Sequence, residues 1–203
     1  MKIVEIFEKN WKRYDSWYDR NFKVFLKEVE FIQRNVGKFE RGLEVGVGTG
    51  RFAVELGIEF GVDLSDSMLR LAKSRGVEVV KADAAVLPFK RSFDLVLFAF
   101  TLCFLERPLE ALKAAREVLT HGGKIVVCCV PKDSKLGEEY MKRRDNPFYA
   151  NANFYTKAEI VKMVKDAGFD VVRTDLEDVK YGGDVFLVLG VLSEGKGSVK
   201  FQE

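Results

Sequence analysis

Apolar positions along the chain follow two rhythms. Over residues 3–36 they recur with a helical period, in two pieces rich in aromatic residues: Phe7, Trp11, Tyr14, Trp17, Tyr18, Phe22 and Phe25. Beyond residue 40, short apolar runs alternate with helical patterns. Strands are expected at 41–45, 58–62, 77–81, 93–99, 123–130, 169–175 and 184–192, and helices at 49–56, 66–75, 107–119 and 156–167. Such β/α alternation builds a mostly parallel sheet covered by helices on both faces.

Local signals punctuate these elements. Ser65 can cap the helix at 66–75, and Pro108 suits the first turn of the next one. In that helix Leu109, Leu112, Ala115 and Leu119 share the face turned to the sheet, and Gly122-Gly123 is expected to end it. Thr156 with Glu159 reads as a capping box, closed by Gly168. Residues 131–155 carry turn, polar and aromatic residues and read as an insertion after the fifth strand. The last two strands are joined through Tyr181-Gly182-Gly183-Asp184, a hairpin-like turn that sets the final strand antiparallel. The expected organisation is an N-terminal helical cap or lid (1–36), a main domain (37–192) and a frayed tail (193–203).

The candidate chemistry sits where the first strand ends. Leu43-Glu44-Val45-Gly46-Val47-Gly48-Thr49-Gly50 places three glycines two apart, with an acid two residues before the first. A backbone so stripped of Cβ atoms can bend sharply and let a ligand approach. Thirteen residues after Gly50, at the end of the second strand, stands Asp63, where an acid can hold a ribose. A dinucleotide fingerprint is G-x-G-x-x-G and serves a pyrophosphate. Here the spacing is G-x-G-x-G, and Glu44 would repel a phosphate but suit an ammonium group.

With these residues the chain resembles the class I S-adenosylmethionine-dependent methyltransferases, from residue 41 to about 192. The resemblance implies an α/β, Rossmann-like doubly wound sheet of seven strands, order 3-2-1-4-5-7-6, with the seventh antiparallel. It implies S-adenosylmethionine as cofactor and S-adenosylhomocysteine as product. The Gly-rich loop would be Glu44 with Gly46, Gly48 and Gly50, the ribose acid Asp63, and Leu64 would lie beside the adenine. In Lys81-Ala82-Asp83-Ala84 the family pattern gives Asp83 the adenine amine and Ala84 a backbone contact. Phe98 and Ala99, ending Phe93-Asp94-Leu95-Val96-Leu97-Phe98-Ala99, would lie under the methionine part.

The chain departs from that pattern in three respects. The helix after Gly50 must be about one turn short. The segment Phe100-Thr101-Leu102-Cys103 lacks the His pair that many relatives carry there. The sole histidine, His121, belongs to the turn before the fifth strand, away from the glycine loop. No imidazole base is therefore expected, which favours an acceptor that is nucleophilic unaided or a base drawn from Asp, Glu, Tyr or water. Tyr14, Trp17, Tyr18 and Tyr149 are candidates to meet the acceptor, while Trp11, Tyr14 and Tyr18 equally fit the stripe of a packed helix. Asn146-Pro147-Phe148-Tyr149 looks like the N-P-P-Y motif but follows the wrong strand and reads as a turn. Lys142-Arg143-Arg144 reads as a solvated helix face.

Composition narrows the partners. The chain has 203 residues, 47% hydrophobic and 32% charged, with a net charge of +2. That balance gives no general attraction to nucleic acid or anionic membrane, so a small-molecule substrate is expected and nucleic acid is not. The apolar run Leu95–Leu105 is too short to span a bilayer. Residues 2–30 are charged throughout, unlike a secretory signal. Three cysteines (Cys103, Cys128, Cys129) make neither a disulfide framework nor a metal cluster, so a reduced cytoplasmic setting is expected. The adjacent Cys128 and Cys129 are expected to point to opposite faces of a strand. The alternatives left open are an RNA or protein acceptor, a non-catalytic S-adenosylmethionine-binding module, and aminopropyl-type chemistry.

Overall fold

A computed structural model describes residues 2–192, with the Lys2 side chain outside the described set; the expected frayed tail, 193–203, lies outside it too. All expected strands form: β1 (Gly42–Val45), β2 (Phe60–Asp63), β3 (Glu78–Lys81), β4 (Phe93–Ala99), β5 (Leu119–Cys129), β6 (Asp170–Glu177) and β7 (Val185–Val191). They make one seven-stranded sheet in the order β3-β2-β1-β4-β5-β7-β6. Pairings from β3 through β5 are parallel, and β7 runs antiparallel to both β5 and β6. Parallel strands buried on two faces need nearly continuous apolar sequence. β4 is the example: Val96 and Phe98 face one core layer, while Leu95, Leu97 and Ala99 face the other.

Seven α-helices cover the sheet among the described residues: α1 (Lys2–Arg20), α2 (Phe22–Val36), α3 (Arg51–Leu56), α4 (Asp66–Ser74), α5 (Pro108–Val118), α6 (Lys135–Lys142) and α7 (Lys157–Asp166). α5 and α7 bury Leu112, Ala115, Ile160 and Val164 on one face; α2, α3 and α4 bury Phe25, Ile32, Phe52 and Ala72 on the other. The Ser65 cap and the Thr156–Glu159 capping box are both present. α3 has six residues, the shortening expected from the short Gly50–Asp63 spacing. Cys128 and Cys129 enter opposite layers, as strand alternation requires.

Three details differ from expectation. α5 does not run to residue 119 or stop at Gly122-Gly123. It ends at Val118, because Leu119 is already extended and pairs with Phe93. Sheet pairing overrides the helical period there, and Thr120–Gly123 becomes an irregularity inside β5, since Leu95 next pairs with Lys124. The insertion 131–155 contains α6, capped by Ser134, and a 3₁₀ turn at Tyr149–Asn151. Residues 1–36 divide their work. α2 is a sheet-covering helix whose Phe31 and Ile32 are fully buried, and α1 is the part that crosses the carboxyl ends of the strands. α1 bends at Asn10, whose side-chain amide donates to the Ile6 carbonyl at 2.8 Å.

Candidate active site

The glycine loop is fastened to the tip of β2. The Gly46 and Val47 N–H groups both donate to the Val62 carbonyl, at 2.8 and 2.9 Å. Asp63 accepts from the Gly48 N–H at 3.0 Å with one carboxylate oxygen and from the Ser65 N–H at 2.9 Å with the other. Gly46 takes φ +71, and Thr101 donates its hydroxyl to the Gly46 carbonyl at 3.2 Å. A Cβ at Gly46 would stand 2.2 Å from the Thr101 methyl. Alanine there meets both a forbidden contact and a strained φ. Gly46→Ala is expected to weaken S-adenosylhomocysteine binding at least tenfold, which titration calorimetry would measure.

A cavity of about 140 Å³ opens beside this loop. Gly46, Gly48, Asp63, Leu64, Asp83 and Ala84 line it, so six of the ten residues expected to hold the cofactor are brought together. Asp83 accepts from the Ala85 N–H at 2.8 Å and pairs with Arg107 at 2.8 Å. Burial pushes the Asp63 carboxyl above its ordinary range, against the pull of its backbone hydrogen bonds. Ile3, Val4, Phe7 and Tyr14 of α1 close the cavity from above.

The other four expected residues are not on that wall. Glu44 is 2% exposed and turned beneath the loop. Burial raises its pKa well above the usual carboxylate range; the Ala53 N–H at the start of α3 opposes this, and one carboxylate oxygen has no partner. Gly50 caps α3 and lets Ala72 of α4 come within 3.0 Å of where a Cβ would be. Phe98 is fully buried in the core and Ala99 is packed in the layer behind. Both still lie inside β4. The wall position falls to Phe100, where the chain leaves the strand at φ +54, and to Thr101.

A second cavity, about 540 Å³, adjoins the first, and the two share Tyr14, Phe100 and Phe104 as wall. All four residues expected to meet an acceptor line it: Tyr14, Trp17, Tyr18 and Tyr149. The insertion supplies Tyr149 stacked on Tyr140 (centroids 4.2 Å apart), and the Phe148 ring lies 5.0 Å from Phe7. Asn146–Tyr149 is a turn, as expected, with the Asn146 side chain accepting from the Phe148 N–H. α6 ends at Lys142, so Lys142-Arg143-Arg144 is not a helix face; Arg143 lies over the Tyr149 ring. Burial pushes the Cys103 thiol up to about 12, which argues against a thiolate nucleophile. His121 is exposed at the opposite end of β5.

Several site residues have no motif to announce them. Glu8 of α1 accepts from the Ser65 and Ser67 hydroxyls, each at 2.5 Å, and from the Ser67 N–H at 3.0 Å. These bonds at the start of α4 hold the Glu8 carboxyl down at about 2. Asp15 takes two hydrogen bonds from Arg51 (3.0 and 2.8 Å) and two from Arg75 (both 2.8 Å), while Arg75 also donates to the Thr49 carbonyl. One carboxylate thus joins α1 to the glycine loop, α3 and α4. Glu28 of α2, on the wall of the second cavity, was legible in one respect: it is an acid on the apolar stripe Phe25, Val29, Ile32, Val36.

The first cavity suits a nucleoside with a cationic tail better than a pyrophosphate. Its charged side chains, among the described residues, are Asp63, Asp83, Glu106 and an Arg107 already paired to Asp83. Bare Gly46 and Gly48 offer backbone contact, and Leu64 and Ala84 an apolar shelf. A sequence profile described as a methyltransferase domain matches residues 43–127. An uncharacterized protein of Methanocaldococcus jannaschii is 40% identical over 172 residues, 84% of this chain and 83% of that protein. The ubiquinone/menaquinone biosynthesis C-methyltransferase UbiE of Azotobacter vinelandii is 30% identical over 164 residues, 68% of this chain. The chain spans 63% of that enzyme's length, and 58% of the uncharacterized mycobacterial relatives it matches. A Thermotoga maritima SAM-dependent methyltransferase, described as a possible histamine N-methyltransferase, superposes with a TM-score of 0.86 at 36% identity, covering 93% of this chain and 99% of that one. No helix among the described residues is long and apolar enough to cross a membrane. The chain belongs to the class I S-adenosylmethionine-dependent methyltransferases, enzymes whose methyl donor is S-adenosylmethionine.

Proposed function

We propose that this enzyme methylates a small molecule held in the second cavity. The observation that carries the reading is that cavity itself: aromatic-walled, roofed by α1 and the insertion, and sharing Tyr14, Phe100 and Phe104 with the nucleoside site. Its volume, about 540 Å³, is that of a small-molecule pocket. Two similar proteins, a quinone-biosynthesis C-methyltransferase and a possible histamine N-methyltransferase, are also named for small acceptors. The unpaired thiols Cys103, Cys128 and Cys129 suit a reducing compartment, hence a cytoplasmic setting.

On this reading Asp63 holds the ribose hydroxyls while keeping the glycine loop in place through the Gly48 N–H. Asp83, Ala84 and Leu64 flank the adenine, and Gly46 and Gly48 border the amino-acid end, with Glu44 buried beneath the loop. S-adenosylmethionine supplies an already activated methyl group and a neutral leaving group. What remains for the protein is alignment of the acceptor and exclusion of water. Alignment can be worth roughly 7–11 kcal/mol of the barrier. Phe7, Phe104, Phe148 and Tyr14 form the water-excluding cluster over the two cavities.

Asp63→Ala tests the assignment. It removes a carboxylate from hydroxyl and loop contacts and should weaken S-adenosylhomocysteine by about 1.5–3 kcal/mol, or roughly 10–150-fold. Unchanged affinity in calorimetry would remove Asp63 from the ribose site. Methyl transfer to tRNA or bulk protein, with none to small molecules, would move the acceptor assignment to a macromolecule.

A further inference from the structure

We infer that the second cavity recognises acceptors carrying a basic nitrogen, and that Glu28 is the counter-charge that selects them. The inference rests on the small-molecule reading above and narrows it to a substrate class.

Glu28 points into the aromatic cavity from α2, yet it is 7% exposed. Among the described residues it makes no hydrogen bond and no ion pair. Buried acids elsewhere in the molecule are treated differently: Asp184, for instance, accepts from the Lys180, Tyr181 and Gly182 N–H groups. A lone carboxylate taken from water carries a large desolvation cost, and natural cores rarely keep one without a partner. The partner that removes this cost is a cation delivered by a ligand.

The walls point the same way. Trp17, Tyr18, Tyr149 and Phe154 surround the space that Glu28 faces. Aromatic faces attract ammonium and amidinium-like groups, most strongly where water is excluded. The cavity's own cations, Arg13, Arg20 and Arg143, are exposed at the mouth. Arg20 is tied to Ser16 and Arg143 to the Tyr149 ring, so neither reaches in to neutralise Glu28. A neutral or anionic acceptor would leave the buried acid without a counter-charge. An amine would satisfy it and the aromatic faces together.

The test uses the full-length protein saturated with S-adenosylhomocysteine and three probes of one skeleton: 2-phenylethylamine, 2-phenylethanol and phenylacetate. Calorimetry should show the amine binding wild type at least tenfold more tightly than either analogue. In Glu28→Gln that preference should collapse while S-adenosylhomocysteine affinity stays within twofold, showing an intact fold and cofactor site. Equal or better binding of the alcohol or the acid by wild type overturns the inference without need of the variant, as does an amine preference that survives in Glu28→Gln. A parallel assay of S-adenosylhomocysteine release separates the two readings. Turnover of neutral or acidic small molecules but not amines sinks the amine assignment and leaves the small-molecule reading standing. Turnover confined to macromolecules sinks both.

Discussion

Asp15→Ala is expected to lower the unfolding free energy at neutral pH by about 3–5 kcal/mol, the range for breaking a largely buried ion-pair network by removing one partner. Asp15 is 14% exposed and holds both Arg51 and Arg75. Its loss leaves two guanidinium groups facing each other at the back of the glycine loop. The neighbouring pair of Arg51 with Asp19 supplies the control: Asp19 is 65% exposed, so Asp19→Ala should cost no more than about 1 kcal/mol. The effect should reach the site as well. Arg75 also bonds the Thr49 carbonyl, so S-adenosylhomocysteine affinity should fall along with stability. Burial disfavours the ionised Asp15, but the hydrogen bonds from Arg51 and Arg75 outweigh it and hold its carboxyl well below the ordinary range. A depressed pKa stabilises above the unfolded value and is lost as the pH falls through the folded one. The gap between wild type and Asp15→Ala should therefore close in acid. Urea unfolding across pH measures it, and a cost near that of Asp19→Ala would show that α1 is held by packing alone.

The contrast between these two acids shows what can be read from letters and what cannot. Strand and helix order followed from apolar rhythm, because each strand of a covered parallel sheet must be apolar on both sides and each helix on one. The glycine loop and Asp63 followed from backbone chemistry at a strand tip, a local matter. Contacts such as Asp15 with Arg51 and Arg75, 36 and 60 residues apart, depend on where α1 crosses the sheet, and no local pattern encodes that. Phe98 and Ala99 show a finer limit. The apolar run marks the end of β4, but the residue at which the chain turns toward the cavity is set by the Phe100 backbone, so the wall begins two residues after Phe98. Leu119 shows a period kept while the element changes: it fills the fourth place of the α5 stripe from within β5.

Glu28→Gln is expected to flatten the fall of stability with rising pH. Burial pushes the Glu28 carboxyl from an ordinary 4.5 up to about 8. Between those values the folded protein keeps a proton that the unfolded chain has released. Stability contributed by the protonated group is then fully present below 4.5 and is lost progressively as the pH rises to 8. The loss approaches about 1.4 kcal/mol per pH unit in mid-window and accumulates to a few kcal/mol. Glutamine does not titrate, so the variant should gain on wild type through this window and hold its gain above it. A buried amide has its own unsatisfied groups, which shift the whole curve by a constant; the readout is therefore the slope of the difference, not its offset. Glu44 and Asp63 are also raised by burial, but both proteins carry them and their contribution cancels. The other titratable groups on that wall, Tyr14, Tyr18, Tyr140, Tyr149, Cys103 and Cys129, are pushed upward by burial, out of the window. Arg13, Arg20 and Arg143 stand at the mouth of the same cavity. Parallel stability curves for the two proteins would mean that the carboxylate is ionised at no cost, and the case for a site waiting on a cation would lose its energetic basis. A steady gain of the variant through the window would instead show a fold that tolerates an uncompensated acid in its interior, a burden that a protein keeps where ligand binding relieves it.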